Sequence, residues 1–195
     1  MVNEGEIRAK AIARGRALKR ANALTALFSG GVPAALLAVR SPGTPAGWLV
    51  GLFIGLLWAN AFEYVYHRFL LHLPGNFISR GHLEHHASVG TPLEAEHVNL
   101  GGSPLWVALL FAVNSAPVIA LELLWPWGVA PGVLAGFAVY LIAVEEIHWR
   151  IHVGGWLPPG LGAVRAYHLA HHDRPDSRYN IFLPLLDSLF GPARG

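Results

Sequence analysis

The sequence predicts an all-α integral membrane protein, with four transmembrane helices in two hairpins and a histidine-rich helical cap on the cytosolic side. Only 13% of the 195 residues are charged, about half of the roughly 25% usual in soluble domains, and 53% are hydrophobic. Eleven histidines lie outside the centres of the long apolar segments. The absence of cysteine excludes disulfide scaffolds, thiolate zinc sites, iron–sulfur clusters and cysteine nucleophiles.

Residues 1–20 form a basic N-terminal segment, in which six arginines and lysines stand against two glutamates. We expect an amphipathic helix that lies on anionic lipid and flanks the first span. No compact apolar region with a small-residue cleavage site follows, so the segment is not expected to be a removable signal peptide.

Residues 21–195 are expected to form a single membrane domain containing four apolar segments. A bilayer core needs about 20 apolar residues per helix, and the transmembrane helices are predicted at about 21–39, 47–66, 105–125 and 131–147. A turn over Ser41–Pro45 joins the first two, and Trp125–Gly128 joins the last two with interfacial tryptophans.

The orientation follows from the positive-inside bias, which places the basic N-terminus in the cytosol. The first hairpin returns the chain to the cytosol near Tyr66, and the second returns it near Glu145. Residues 67–103, the chain after about Glu145 and the C-terminus are therefore expected on the cytosolic face. Every histidine falls within these cytosolic parts, although the charges and apolar lengths that predict the topology involve no histidine.

Ten of the eleven histidines occur in spaced groups. The motif HxxHH occurs twice, beginning at His82 and at His168, and residues three or four apart share one helix face. His148 and His152 are also four apart, whereas His67 and His72 are five apart, about 140° on a regular helix. That last pair requires an irregular turn or two different targets. His97 has no spaced partner and is expected to be an ordinary histidine.

Ten imidazoles are too many for one metal ion and suit two ions with about five ligands each. Imidazole binds zinc, copper, iron or nickel, whereas magnesium and calcium prefer oxygen ligands. The zinc-protease motif HExxH and the serine-hydrolase motif GxSxG are absent from the sequence. The sequence thus predicts a dinuclear, histidine-only metal site.

The four boxes HRFLLH, HLEHH, HWRIH and HLAHH, in this order between paired apolar segments, resemble the fatty acid hydroxylase superfamily. The resemblance covers roughly residues 60–191. The stretch 63–72 looks most like the fatty acid 2-hydroxylase branch, and residues 180–191 resemble the segment that commonly follows the last box.

The resemblance implies a multi-pass membrane monooxygenase that uses two iron ions, O₂ and an external electron donor, with zinc as a possible substitute for iron in isolated protein. It implies a lipid substrate and a cytochrome b5 or ferredoxin-type reductant. The metal ligands that it implies are His67, His72, His82, His85, His86, His148, His152, His168, His171 and His172. Glu63 and Glu145 lie four and three residues before His67 and His148, and are expected to accept hydrogen bonds from ligand imidazoles beside the catalytic centre.

Four alternative functions remain open at this point. A carotenoid hydroxylase or a lipid desaturase would use the same ligands on another substrate or with another outcome. A non-catalytic membrane metal-binding protein is a further alternative, as is a transporter, although transporters place ionisable residues near the membrane midplane and these apolar segments carry none in their middles. A net charge of +2 gives no support for a nucleic-acid partner.

Overall fold

The computed structural model describes residues 3–41, 43–100 and 102–191, and within these ranges the regular structure is entirely helical. The all-α prediction is therefore confirmed. The helices are α1 Glu4–Arg40, α2 Pro45–Tyr66, a π-helix His67–Leu71, α3 Ser79–Ser88, α4 Glu94–His97, α5 Pro104–Leu124, α6 Ala130–His152, α7 Gly162–Asp173 and α8 Leu185–Phe190.

Four helical segments in the described ranges are long and apolar enough to cross a membrane: α1, α2 with its π-helix, α5 and α6. Three of them contain a predicted span, and α5 matches the remaining one except that it ends one residue earlier, at Leu124. The predicted basic segment and first span are one continuous helix of 37 residues, because no glycine or proline separates them. Met1, Val2, Pro42 of the predicted first turn, and residues 192–195 of the predicted domain lie outside the described residues.

The chain divides into two compact units. The first, called the histidine unit, consists of the residues up to Lys19, Asn60–Leu100 and the residues from Val144 onward. The second, called the span unit, consists of Arg20–Ala59 and Gly101–Ala143. Helices α1, α2 and α6 each contribute residues to both units.

In the span unit, α2 and α6 approach each other backbone to backbone through glycines. A Cβ added at Gly51 would lie 2.1 Å from the Val129 carbonyl oxygen, and one added at Gly136 would lie 2.4 Å from that of Leu52. Small residues four apart permit such close helix packing inside membranes. The close packing of α2 and α6 therefore requires glycine at these positions, because a side chain would collide with the backbone of the other helix.

Polar groups in the span unit satisfy helix ends that would otherwise be unpaired. The hydroxyl of Ser103 accepts a hydrogen bond from the Trp106 amide and caps α5, whose first residue is proline. The buried carboxylate of Glu122 accepts hydrogen bonds from the amides of Gly128 (2.8 Å) and Ala130 (3.3 Å) at the start of α6. Glu122 thereby supplies the negative charge that a helix N-terminus favours.

Candidate metal centre

The structure brings the ten spaced histidines together in the histidine unit as two groups of five. Within each group, one nitrogen from every residue lies within 4.8 Å of the others. We call the two groups site A and site B. Site A consists of His67, His72, His82, His86 and His171, and site B consists of His85, His148, His152, His168 and His172.

Each of the two HxxHH motifs supplies histidines to both sites. On α3, His82 and His86 belong to site A while His85 belongs to site B. On α7 the pattern is reversed, because His168 and His172 belong to site B while His171 belongs to site A. The residues four apart share a site in both motifs, and the histidine between them points to the other site. Each helix therefore serves both sites.

The pair that is five residues apart reaches a single site through the π-helix. His72 donates its backbone N–H to the carbonyl of His67 at 3.3 Å, the hydrogen bond over five residues that defines this helix. The extra residue per turn brings both imidazoles to one side, and their Nε2 atoms lie 3.2 Å apart. Of the two possibilities that the sequence left open, the structure has the irregular turn.

The distances between facing nitrogens fit ligands of a shared ion. Neighbouring Nε2 atoms lie 3.0 to 3.2 Å apart in site A and 2.9 to 3.1 Å apart in site B. Two nitrogens bound at about 2.1 Å and at right angles lie about 3.0 Å apart, whereas tetrahedral ligands would be about 3.4 Å apart. Five imidazoles at this spacing could hold an ion of more than four ligands.

Hydrogen bonds at the outer nitrogen fix the tautomer of two histidines in site A. Nδ1 of His67 donates to the carbonyl of Tyr179, and Nδ1 of His171 donates to the carbonyl of Ser177 at 2.5 Å. A carbonyl only accepts, so the proton lies on Nδ1 and the lone pair lies on Nε2. The lone pair of His171 thus faces Nε2 of His72 at 3.1 Å, a spacing that fits two ligands of one ion.

In site B, a carboxylate and not a carbonyl accepts the hydrogen bond from the outer nitrogen of one histidine. Nδ1 of His152 donates to Oε1 of Glu94 at 2.8 Å, and the His152 side chain is fully buried. Burial raises the pKa of the Glu94 carboxyl, but hydrogen bonds from His152 and the Gly90 amide outweigh that effect and hold the pKa below its ordinary value. A charged Glu94 therefore faces the imidazole.

Three of the clustered histidines outside the spans, His72, His86 and His172, are neutral at physiological pH. Burial, followed by the neighbouring imidazole of His171, lowers the pKa of His72 to about 4 and that of His86 to about 3. Burial and the nearby His86 lower the pKa of His172 to about 2. These imidazoles keep a free lone pair, as metal binding requires.

Both outer carbonyls of site A belong to one segment, Ser177–Ile181. Arg178 has φ 61°, a left-handed conformation that is rare for residues other than glycine. This turn lies between the carbonyls of Ser177 and Tyr179, which accept hydrogen bonds from different histidines. Strained backbone of this kind concentrates at functional sites.

Two buried carboxylates hold that segment in place. Asp187, fully buried on α8, accepts hydrogen bonds from the amides of Tyr179 (3.0 Å) and Asn180 (2.7 Å). Glu63 accepts from the Asn180 side chain (2.9 Å) and the Ile181 amide (3.0 Å). Both acids therefore fix the backbone that carries the Tyr179 carbonyl.

Three further acids lie on α3, α4 and α6. Glu145 is buried on α6, one turn before His148, and its expected hydrogen bond to an imidazole stays a prediction. Glu84 lies 3.8 Å from Nδ1 of His97, which is outside both groups. Glu94 was not predicted, because 58 residues separate it from His152 and no local spacing connects them.

The sequence and the fold are similar to those of known hydroxylases. The sequence profile of the fatty acid hydroxylase family matches residues 52–192. The Arabidopsis thaliana protein named dihydroceramide fatty acyl 2-hydroxylase FAH2 is 28% identical over 161 residues, which cover 75% of this chain and 62% of that protein.

A solved structure described as full-length scs7p, with only the hydroxylase domain visible, matches with a TM-score of 0.62 at 20% identity. That match covers 87% of this chain and 62% of the other, and at this identity it shows a shared fold. The chain spans about three fifths of the length of both relatives. Because the family profile covers well over half of the chain, this protein belongs to the fatty acid hydroxylase family.

Proposed function

We propose that this protein is a membrane-bound, O₂-dependent di-iron hydroxylase that inserts oxygen into a C–H bond of a fatty acyl chain or a related lipid. The observation that carries the proposal is the pair of five-histidine groups built on shared helices in a member of this family. The name of the Arabidopsis relative supports an acyl chain attached to a sphingoid base as the substrate class.

The ten histidines of sites A and B would hold one ion each. When bound, the two irons would supply reduction of O₂ and insertion of one oxygen atom into an unactivated C–H bond, with electrons from an external donor. Imidazole binds zinc as readily as iron, so protein purified without iron control is expected to contain zinc.

The chain's own residues hold the ligands and keep water away. His148, His168 and His171 are fully buried, and exclusion of water protects reactive species from side reactions. Glu63 and Asp187 fix the segment that orients His67 and His171, and Glu94 orients His152. The apolar helices would bind the acyl chain, as is usual where apolar surface supplies affinity and a metal supplies chemistry.

We further propose that both termini and both sites face the cytosol, where a cytochrome b5 or ferredoxin-type protein would deliver electrons. The basic residues of the first part of α1 support this orientation through the positive-inside bias. Reagents that label introduced cysteines near residues 90 and 175 from the cytosolic side would support it, and labelling from the opposite side would contradict it.

The function is tested by lipid profiling of cells that express the protein, together with metal analysis of purified protein. We expect a product 16 Da heavier than its precursor and two metal ions per chain. His85→Ala and His171→Ala should abolish the product and lower the metal content, whereas the matched control His97→Ala should change neither. A product lighter by 2 Da would indicate a desaturase, a hydroxylated carotenoid would change the substrate, and two bound ions without any product would indicate a non-catalytic protein.

A further inference from the structure

A single side chain links site B to a part of the protein that the family match does not include. Glu94 accepts a hydrogen bond from His152 through Oε1, and from the Gly90 amide through Oε2 at 3.0 Å. Gly90 has φ +76°, a conformation that glycine adopts without strain. Both carboxylate oxygens are therefore engaged, and the carboxylate has a fixed orientation toward the imidazole.

The helix that begins with Glu94 packs directly against the first part of α1. Ala11 and Ala95 are buried together with Val98 and Trp149 in one apolar cluster. A Cβ added at Gly15 would lie 1.9 Å from the Ala95 carbonyl oxygen and 2.8 Å from the Trp149 ring. At Gly15, α1 therefore contacts the backbone of α4 so closely that no side chain would fit between the two helices.

Polar contacts hold the same two helices together around that point. The side-chain amide of Asn99 donates to the Gly15 carbonyl at 3.3 Å, and Arg14 pairs with Glu96 at 3.1 Å. Together with the close approach at Gly15, these contacts tie α4 and the residues just after it to residues 11–15 of α1. Residues 4–19 precede the range matched by the family profile, which begins at residue 52.

We propose that Glu94 is a positioning residue for site B and that residues 4–19 of α1 support it by holding α4 in place. A carboxylate that accepts the outer N–H of a ligand histidine fixes the tautomer and ring orientation and makes the ligating nitrogen more basic. The basic N-terminal helix is then part of the metal centre as well as a flank of the first span. This inference rests on the proposed function only in that site B binds a metal ion.

The direct test replaces Glu94 and counts metal ions. Metal-free protein in detergent is titrated with Co²⁺, whose absorbance reports binding, and the bound ions are counted per chain. We expect two ions for the wild type. For Glu94→Ala, we expect one ion at wild-type affinity and the other weakened about 10- to 100-fold. Glu94→Gln should have an intermediate effect because the amide oxygen still accepts the hydrogen bond.

The matched control is Glu84→Gln, which changes an exposed carboxylate on α3 and should leave both ions at wild-type affinity. Two ions at wild-type affinity in Glu94→Ala would overturn the inference and leave the proposed function standing. Equal weakening of both ions would also overturn it, because the role would not be confined to site B. A wild-type protein that binds no ions would overturn the proposed function and the inference together.

The support by α1 is tested with Gly15→Val, which forces a side chain against Ala95. We expect the same selective weakening of one ion, although Gly15 is not among the residues of either site. Gly31→Val on the same helix is the control, because a Cβ added at Gly31 meets no atom within 4 Å. Gly15→Ala provides a milder change if the valine variant does not fold.

The double variant Gly15→Val with Glu94→Ala should bind metal no more weakly than Glu94→Ala alone, because both changes act through one contact. Additive weakening, or wild-type metal binding by both Gly15 variants, would overturn the role of α1.

Discussion

Site A and site B contain the same number of imidazoles, but the chain builds them from different local structures. Site A takes two ligands across a π-turn, and two of its outer nitrogens donate to backbone carbonyls. Site B takes two ligands from a regular α-helix, and one outer nitrogen donates to a carboxylate. Site A therefore depends on backbone conformation, whereas site B depends on a side chain and its support.

The surroundings of the sites differ as well. A cavity of about 550 Å³ lies against site B, and its lining includes Glu4, Arg8, Thr91, Glu94 and His152. A charged carboxylate makes the imidazole a stronger donor to a metal ion than a neutral carbonyl does. We infer that an ion in site B would be held by a more strongly donating ligand set than an ion in site A.

The largest expected effect comes from changing the number of residues between paired ligands. Insertion of one alanine after Leu70 would convert the five-residue spacing of His67 and His72 to six, which neither a π-turn nor a regular α-helix brings to one side, and would rotate His72 away from site A. We expect one bound ion fewer per chain and loss of the hydroxylated product. Metal counting and lipid analysis by mass spectrometry provide the measurement.

The same kind of insertion in α6 tests whether the spacing of paired ligands matters equally in site B. Insertion of one alanine after Arg150 would place His148 and His152 five apart on α6 and should remove the ion from site B alone. Retention of two ions by either variant would contradict the assignment of the two spacings to two different local geometries.

A smaller effect is expected from Asp187→Ala, which releases the segment that carries the outer carbonyls of site A. The amides of Tyr179 and Asn180 would lose their acceptor, at a cost of about 1–3 kcal/mol for each buried group left unpaired. We expect about tenfold or greater weakening of one ion in the Co²⁺ titration and a lower melting temperature. Ser188→Ala on the same helix is the control, and equal weakening of both ions would contradict a role confined to site A.

The smallest effect is expected at Arg178, whose left-handed conformation costs about 1–2 kcal/mol for a residue with a Cβ. Arg178→Gly should relieve this cost and keep both ions. Arg178→Val should lower the melting temperature and weaken the ion in site A, because a β-branched residue tolerates positive φ least. Thermal unfolding of the metal-loaded variants measures both effects, and equal stability of the two would show that the turn adds no constraint.

Much of the fold and the candidate ligands could be predicted from the sequence, because both depend on local patterns. Apolar length gave the four spans, and helical spacing grouped His148 with His152. The same reasoning left His67 and His72 open, since a π-turn depends on more than the spacing of two residues. It also did not predict that His85 and His171 each serve the site opposite to their neighbours, because that arrangement depends on how α3 and α7 pack.

Partners that are distant in the sequence could not be predicted in this way. Spacing suggested Glu63 as a partner of His67, whereas the structure places its carboxylate on Asn180 and Ile181, beside the carbonyl that orients this histidine. Glu94 has no sequence pattern that relates it to His152. The glycines that set the distance between α2 and α6 also have no apparent role until the two helices are seen in contact.

Because α3 and α7 each carry ligands of both sites, binding of one metal ion affects the binding of the other. An ion that arrives first in site A immobilises α3 through His82 and His86, and α7 through His171. His85, His168 and His172 are then already arranged for the second ion, which pays less ordering entropy than the first. The second ion should therefore bind more tightly than the first in the wild type, whereas a variant that can fill only one site binds its single ion with the affinity of the first step.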